Sequence, residues 1–117
     1  GITVLGHESI VVTQQDYAPL MTKIKPLNPD LIYFGGTTQT NAGQLVKDMK
    51  NAGLTCPFMA PDGCYENAFV DSAGAANANG RCYVTIGAPD PATATGAGAE
   101  FVKRYKEKYK KDPAAYA

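Results

Sequence analysis

Short apolar runs alternate with longer stretches in which apolar residues recur every three or four positions. The β-rich runs are Ile2–Leu5, Leu31–Phe34, Pro57–Ala60 and Arg81–Ile86. The stretches between and after them have the period of amphipathic helices. The predicted order is strand, helix, strand, helix, strand, short helix, strand, helix. Such alternation predicts an α/β fold with a mostly parallel, doubly wound sheet between two helical layers.

The first helix is predicted to start at Asp16, an N-cap residue type, and to stop at Asn28–Pro29. Its apolar stripe consists of Tyr17, Leu20, Met21, Ile24 and Leu27. Thr38 or Thr40 can cap the second helix, and Gly53 is the expected end. The stripe of this second helix consists of Ala42, Leu45, Val46 and Met49.

The second half of the chain predicts two further helices. A short helix spans Tyr65–Ala73, Gly74 ends it, and Ala75–Gly80 is expected to be a surface connection. Aromatic residues at helical spacing mark the last helix, which Lys111–Pro113 ends. They are Phe101, Tyr105 and Tyr109.

Small, polar, turn-prone residues follow two of the apolar runs at once. Leu31–Phe34 is continuously apolar and bounded by turn residues, which is typical of a strand covered on both faces. Ligands of open α/β sheets bind outside the carboxyl ends of such strands. The candidate binding residues at those ends are Gly36, Thr37, Thr38 and Asp62.

Composition narrows the possible partners and chemistry. The 117 residues, 44% of them apolar, suit one small domain spanning 1–117. Eleven basic side chains balance eleven acidic ones, so nothing favours nucleic acid or an anionic membrane surface. No nucleophile–base pair, phosphate-binding glycine motif or metal-ligand spacing is present, so neither an enzyme nor a cofactor or metal is expected. The three cysteines, Cys56, Cys64 and Cys82, fit either one disulfide with a free thiol or three reduced thiols.

Several pieces of the chain, in order and over nearly its whole length, resemble the periplasmic branched-chain amino-acid-binding proteins. These are the type I solute-binding proteins of ABC transporters. The matching pieces include Gly6–Ile10, Asp16–Leu20, Asn28–Gly36, Ala52–Leu54, Pro57–Gly63, Tyr83–Thr85 and Asp112–Tyr116. No single piece is specific, and the resemblance lies in their order and spacing.

The resemblance implies that residues 1–117 form part of the C-terminal lobe only, one of two α/β lobes around a cleft. It also implies that the lobe's opening strand and helix lie upstream of Gly1, which would leave a central strand missing. We therefore expect the strands at Ile2–Leu5 and Leu31–Phe34 either to pair directly or to complete the sheet with a second copy, as a homodimer or domain swap.

The resemblance also assigns roles. An acidic residue matching Asp62 binds the ligand's ammonium group in this family, although Pro61–Gly63 alone also reads as a simple turn. The position matching Thr37 is aromatic in many relatives, so this threonine puts the ligand's identity in doubt. From the residue types themselves, Thr37 and Thr38 either offer hydroxyls and free N–H groups to an anion or serve only as helix caps. Tyr65 either touches the ligand's side chain or belongs to the core.

The implied function is capture of an amino acid, branched-chain or similar, and its delivery to an ABC transporter permease. The expected location is periplasmic or extracellular, with a lipid anchor in a Gram-positive organism. The alternative is the extracellular ligand-sensing domain of a receptor or regulator with the same fold. A flavodoxin-like enzyme is a third class, which no sequence feature requires.

Overall fold

The computed structural model describes residues 1–113 as helices joined to a small parallel sheet. The chain divides into two compact units, Gly1–Thr85 and Ile86–Ala117. The strands are β1 (Ile32–Tyr33), β2 (Phe58–Ala60) and β3 (Cys82–Val84), and the helices are α1 (Ala18–Ile24), α2 (Ala42–Asn51), α3 (Asn67–Ala73), α4 (Ala75–Ala78) and α5 (Ala97–Tyr109). Single 3₁₀ turns cover Lys25–Leu27, Thr38–Thr40, Asp62–Cys64 and Pro91–Thr93. The matching stretch Ala114–Tyr116 lies outside the described residues.

The sheet of the first unit has the order β1-β2-β3, and both pairings are parallel. Phe58 aligns with Ile32 on one side and with Cys82 on the other. Successive strands are joined through helices, as parallel pairing requires. This confirms the predicted α/β class and the predicted parallel pairing.

The core lies between the sheet and the helices of the first unit. Phe58 is 1% exposed and stacks between Phe34, at 6.0 Å between ring centroids, and Phe69 of α3, at 6.2 Å. The α2 stripe is buried as predicted. In the α1 stripe Tyr17 and Met21 are buried, whereas Leu27 is exposed. Packing of these amphipathic faces supplies most of the stability that such short helices lack alone.

The predicted strand at Ile2–Leu5 is absent. These residues have no strand hydrogen bonds, and Ile2 and Val4 are 95% and 78% exposed. Among the described residues β1 pairs with β2 alone, so the expected direct pairing between Ile2–Leu5 and Leu31–Phe34 is wrong. A β-rich run becomes a strand only where a neighbouring backbone accepts its hydrogen bonds. Completion of the sheet by a second copy stays a prediction.

Two further expectations are corrected. Leu31 and Tyr33 are 44% and 60% exposed, so β1 is not covered on both faces. Side chains alternate along a strand, and Tyr33 therefore points away from the face that carries Phe58. The stretch Ala75–Gly80 is not only a connection, because its first four residues form α4.

The second unit contains the turn at Pro91–Thr93 and α5. Tyr105 lies between Phe101 and Tyr109 along α5, with ring centroids 5.8 Å and 4.6 Å away. Lys110 adopts a left-handed conformation (φ 57°) and ends the helix where the sequence predicted. The proposal that 1–117 is a single lobe remains untested by these two units.

Candidate functional site

A hydrogen-bonded turn follows β1 and carries two of the predicted site residues, Thr37 and Thr38, directly after a third, Gly36. We call Thr37–Thr40 the threonine turn. The Thr37 N–H donates to Thr40 Oγ1 at 2.9 Å, and the Thr37 side chain accepts the Thr40 N–H, which together form a capping box. The expectation that Thr37 offers a free N–H is therefore corrected, because its partner is Thr40. Thr37 caps this 3₁₀ turn, but the prediction that Thr38 or Thr40 caps the second helix is wrong, because the N-cap of α2 is Asn41.

A second turn follows β2 and carries the predicted site residue Asp62, and the last predicted site residue, Tyr65, directly follows the turn. We call Asp62–Cys64 the aspartate turn. The Tyr65 N–H donates to the Asp62 carbonyl oxygen at 2.9 Å, which closes the turn. Asp62 is exposed, Tyr65 is half-buried, and Cys64 is 1% exposed. The carboxylate of Asp62 is thus presented at the surface at the end of β2.

The two turns touch each other at the carboxyl-end edge of the sheet. The Thr38 hydroxyl donates to the Gly63 carbonyl oxygen at 3.4 Å, and the Cys64 thiol lies 3.8 Å from the Gly36 carbonyl oxygen. Just beyond the turns, Gln39 Nε2 donates to Glu66 Oε1 at 3.0 Å. Gly36, Thr37 and Thr38 are therefore brought together with the turn that carries Asp62. The edge is one continuous wall formed by two loops.

Two glycines are needed for this close approach. A Cβ added at Gly36 would lie 2.6 Å from Thr40 Oγ1 and 2.7 Å from Phe34 Cε1. A Cβ added at Gly63 would lie 2.8 Å from Thr37 Cγ2. The sequence suggested that Gly36 gives room for a ligand, whereas the structure shows that it gives room for Thr40 and Phe34.

The charge at this edge has one sign. Segments 35–41 and 61–67 contain two carboxylates, Asp62 and Glu66, and no lysine, arginine or histidine. Such a wall favours a cationic group of a ligand over an anionic one. Burial raises the pKa of the neighbouring Cys64 thiol, although a hydrogen bond from Thr38 opposes the shift. The thiol is therefore neutral at pH 7 and adds no charge.

The structure adds two residues to the site that sequence reasoning missed. Gln39 bridges to Glu66, and Asn41 holds a left-handed backbone (φ 70°) between the threonine turn and α2. The sequence carried a signal for Asn41, because asparagine is a preferred N-cap residue that tolerates this conformation. It carried none for Gln39, since nothing in the chain pattern pairs it with a residue 27 positions away.

The remaining features that could carry chemistry are the three cysteines and any metal-binding or membrane-spanning segments. Cys56, Cys64 and Cys82 are all free thiols, which agrees with the second of the two alternatives. Within residues 1–113, no group of three or more His, Cys, Asp or Glu side chains could hold a metal ion. No helix in the same range is long and apolar enough to cross a membrane.

The sequence of this chain is similar to those of known binding proteins. A family model described as periplasmic binding protein matches residues 1–117. An amino acid binding protein of Pseudomonas aeruginosa is 33% identical over 91 residues, which are 78% of this chain and 24% of the relative. The Leu/Ile/Val-binding protein homolog 1 of Brucella abortus is 32% identical over 102 residues, 87% of this chain and 26% of the relative. The chain thus spans about a quarter of the length of these curated relatives.

Solved structures agree with the sequence comparison. The leucine binding protein LivK of Thermotoga maritima has a TM-score of 0.76 and 28% identity, and the match covers 87% of this chain and 28% of that one. The branched-chain amino acid transporter substrate binding protein LivJ of Streptococcus pneumoniae, solved with isoleucine, has a TM-score of 0.78 and 25% identity. That match covers 91% of this chain and 30% of LivJ.

Proposed function

The chain belongs to the periplasmic binding protein family, and we propose that it forms part of one lobe of a protein that captures an amino acid outside the cytoplasm. In this proposal the wall formed by the threonine and aspartate turns faces the ligand. The whole protein closes a second lobe over it by hinge motion and delivers the ligand to an ABC transporter permease. The relatives named above for leucine, isoleucine and valine indicate a branched-chain or similar amino acid.

The observation that carries the proposal is the charge of the wall. Two carboxylates and no cation lie in the segments that form it, and the ammonium group of an amino acid is the complementary charge. Asp62, exposed at the end of β2, would accept charge-assisted hydrogen bonds from that ammonium once closure excludes water.

The other site residues would act around this contact. Thr37 and Thr38 would line the wall beside Asp62, and Tyr65 would border the ligand's side chain. Gly36 would keep the threonine turn packed against Phe34. The Thr37 N–H is engaged by Thr40. We therefore assign the ligand's carboxylate to groups outside this wall.

The test is calorimetric titration of the intact protein that contains this sequence with L-leucine, L-isoleucine and L-valine. A matched ligand is 4-methylpentanoate, which keeps the leucine side chain but has no ammonium group. Asp62→Asn removes the charge while keeping the shape, and Asp71→Asn removes an exposed charge of α3 as the control. We expect micromolar or tighter binding of at least one amino acid and none of 4-methylpentanoate.

In Asp62→Asn the Kd should rise by about 100-fold, which corresponds to about 3 kcal/mol for a desolvated charge pair. Asp71→Asn should bind like the unmodified protein. Equal binding of 4-methylpentanoate and leucine, with no effect of Asp62→Asn, would contradict the assigned ligand class. The absence of binding to all three amino acids would contradict capture of branched-chain amino acids.

A further inference from the structure

Asn41 connects the threonine turn to α2. It follows Thr40 directly and is the N-cap of α2, with φ 70° and ψ 25°. Its carbonyl oxygen accepts the Leu45 N–H at 3.1 Å and so starts the helix. The left-handed backbone turns the chain sharply, and asparagine is one of the few residues other than glycine that adopt it readily.

The Asn41 side chain holds a distant segment of the chain. Its Nδ2 lies 2.6 Å from the Val12 carbonyl oxygen, 3.1 Å from the Gln14 carbonyl oxygen and 3.0 Å from the Tyr17 hydroxyl. We call the segment that contains these acceptors, residues 11–17, the anchored loop. One amide group therefore ties this loop to the first residue after the threonine turn.

The far end of the anchored loop is fixed to the same helix. The Tyr17 N–H donates to Asp48 Oδ2 at 2.9 Å, and the Tyr17 hydroxyl donates to the Val11 carbonyl oxygen at 2.9 Å. Tyr17 is 1% and Asp48 5% exposed. Gln44 Nε2 donates to the other oxygen of Asp48 at 2.9 Å, so the carboxylate is held from two sides. Because the two anchors are Asn41, the N-cap of α2, and Asp48, in its carboxyl-terminal half, the loop lies along α2 and reaches the threonine turn at the Asn41 end.

We propose that Asn41 is a positioning residue for the wall formed by the threonine and aspartate turns. The side-chain amide of Asn41 connects the anchored loop to the threonine turn and so holds this turn in place. The inference rests on the proposed function for its ligand. If the amide is lost, Val12 and Gln14 lose their contact with Asn41 while Tyr17 stays bound to Asp48, and the threonine turn loses order. The aspartate turn packs on the threonine turn, so the wall then holds the ligand less well.

The glycine variant isolates this role. Asn41→Gly keeps a residue that tolerates φ 70° and removes the side chain that carries the amide. Asn77→Ala is the matched control, because the Asn77 amide donates to the Ala73 carbonyl oxygen at 2.8 Å and its oxygen accepts from Lys50 Nζ at 2.8 Å. That asparagine anchors the opposite end of α2, away from the wall.

The first readout is amide hydrogen exchange at Thr37 and Thr40 in the intact protein without ligand, at conditions where the variants have equal global stability. We expect exchange at both residues to rise at least tenfold in Asn41→Gly and to stay unchanged in Asn77→Ala. The second readout is the Kd for L-isoleucine, which should rise about tenfold in Asn41→Gly only. A purely structural role would lower global stability without a selective change at the turn.

Unchanged exchange at Thr37 and Thr40 in Asn41→Gly overturns the inference, even if residues 11–17 exchange faster. Faster exchange with an unchanged Kd for isoleucine also overturns it, because the turn would then not depend on Asn41 for binding. If the unmodified protein binds none of the amino acids, the proposed function fails. The exchange data alone then decide whether Asn41 braces the turn.

Discussion

Replacing Gly63 with alanine tests how tightly the two turns of the wall are packed. A Cβ at Gly63 would lie 2.8 Å from Thr37 Cγ2 and 3.3 Å from Thr37 Cβ. Carbon atoms in ordinary contact are about 3.5–4.0 Å apart. The two turns must therefore separate by about 1 Å, or the Thr37 side chain must rotate.

Both responses have a cost that can be bounded. Forcing an extra carbon atom into a packed contact costs about 1–3 kcal/mol. Rotation of Thr37 relieves the contact but withdraws its oxygen from the Thr40 N–H, and loss of such a cap costs about 0.5–2 kcal/mol. We expect Gly63→Ala to lower the free energy of unfolding by about 1–2 kcal/mol.

The assay is urea unfolding of the unmodified chain, Gly63→Ala, Thr37→Ser and the double variant, followed by circular dichroism. With a slope of about 2 kcal/mol per molar urea, the Gly63→Ala midpoint should fall by roughly 0.5–1 M. Thr37→Ser removes Cγ2 but keeps the capping oxygen, so Gly63→Ala should cost at least about 0.5 kcal/mol less in that background. An unchanged midpoint for Gly63→Ala, or the same cost in both backgrounds, would refute the reasoning.

Two further predictions concern packing and the thiols. A Cβ at Gly43 of α2 would lie 2.7 Å from the backbone carbonyl carbon of Ser72 in α3. Gly43→Ala should therefore destabilise the chain by about 1 kcal/mol despite its better helix propensity, and by more than Gly98→Ala in α5, whose Cβ would lie 3.2 Å from Ala94 Cβ, in the same urea assay. Equal midpoints would contradict this close helix contact. Burial raises the pKa of Cys64 above its ordinary value of 9.0, so the neutral thiol's contribution to stability is present below pH 9 and is lost as the pH rises further. The urea midpoint should accordingly fall more between pH 8 and 10 in the unmodified chain than in Cys64→Ala, and equal falls would contradict it.

Local patterns predicted most of the secondary structure because it depends on neighbouring residues. The apolar stripe of α2, its end at Gly53 and the end of α3 at Gly74 follow from helical spacing and from glycine's freedom at positive φ, which is 73° and 84° here. The parallel pairing of β1, β2 and β3 follows from the alternation of strands and helices. The strands are shorter than predicted, because a strand extends only as far as its backbone pairs with a neighbouring strand.

The sequence predicted which residues lie at the candidate site, but the hydrogen bonds within the site depend on contacts that the sequence pattern does not show. The sequence located Asp62 and the threonines at the ends of adjacent strands, because parallel strands place their carboxyl ends at one edge. It could not show that Thr40 occupies the Thr37 N–H, or that Asn41 holds the anchored loop 24–29 residues away along the chain.

The sequence by itself determined the α/β class, the helix faces and the position of Asp62 and the threonines at the ends of adjacent strands, because periodicity and turn chemistry are local properties. Only the tertiary structure decided that Ile2–Leu5 forms no strand among the described residues and that Gly36 and Gly63 serve close packing between turns. These features depend on which backbone groups and side chains meet across the fold, and one-dimensional patterning does not contain that information.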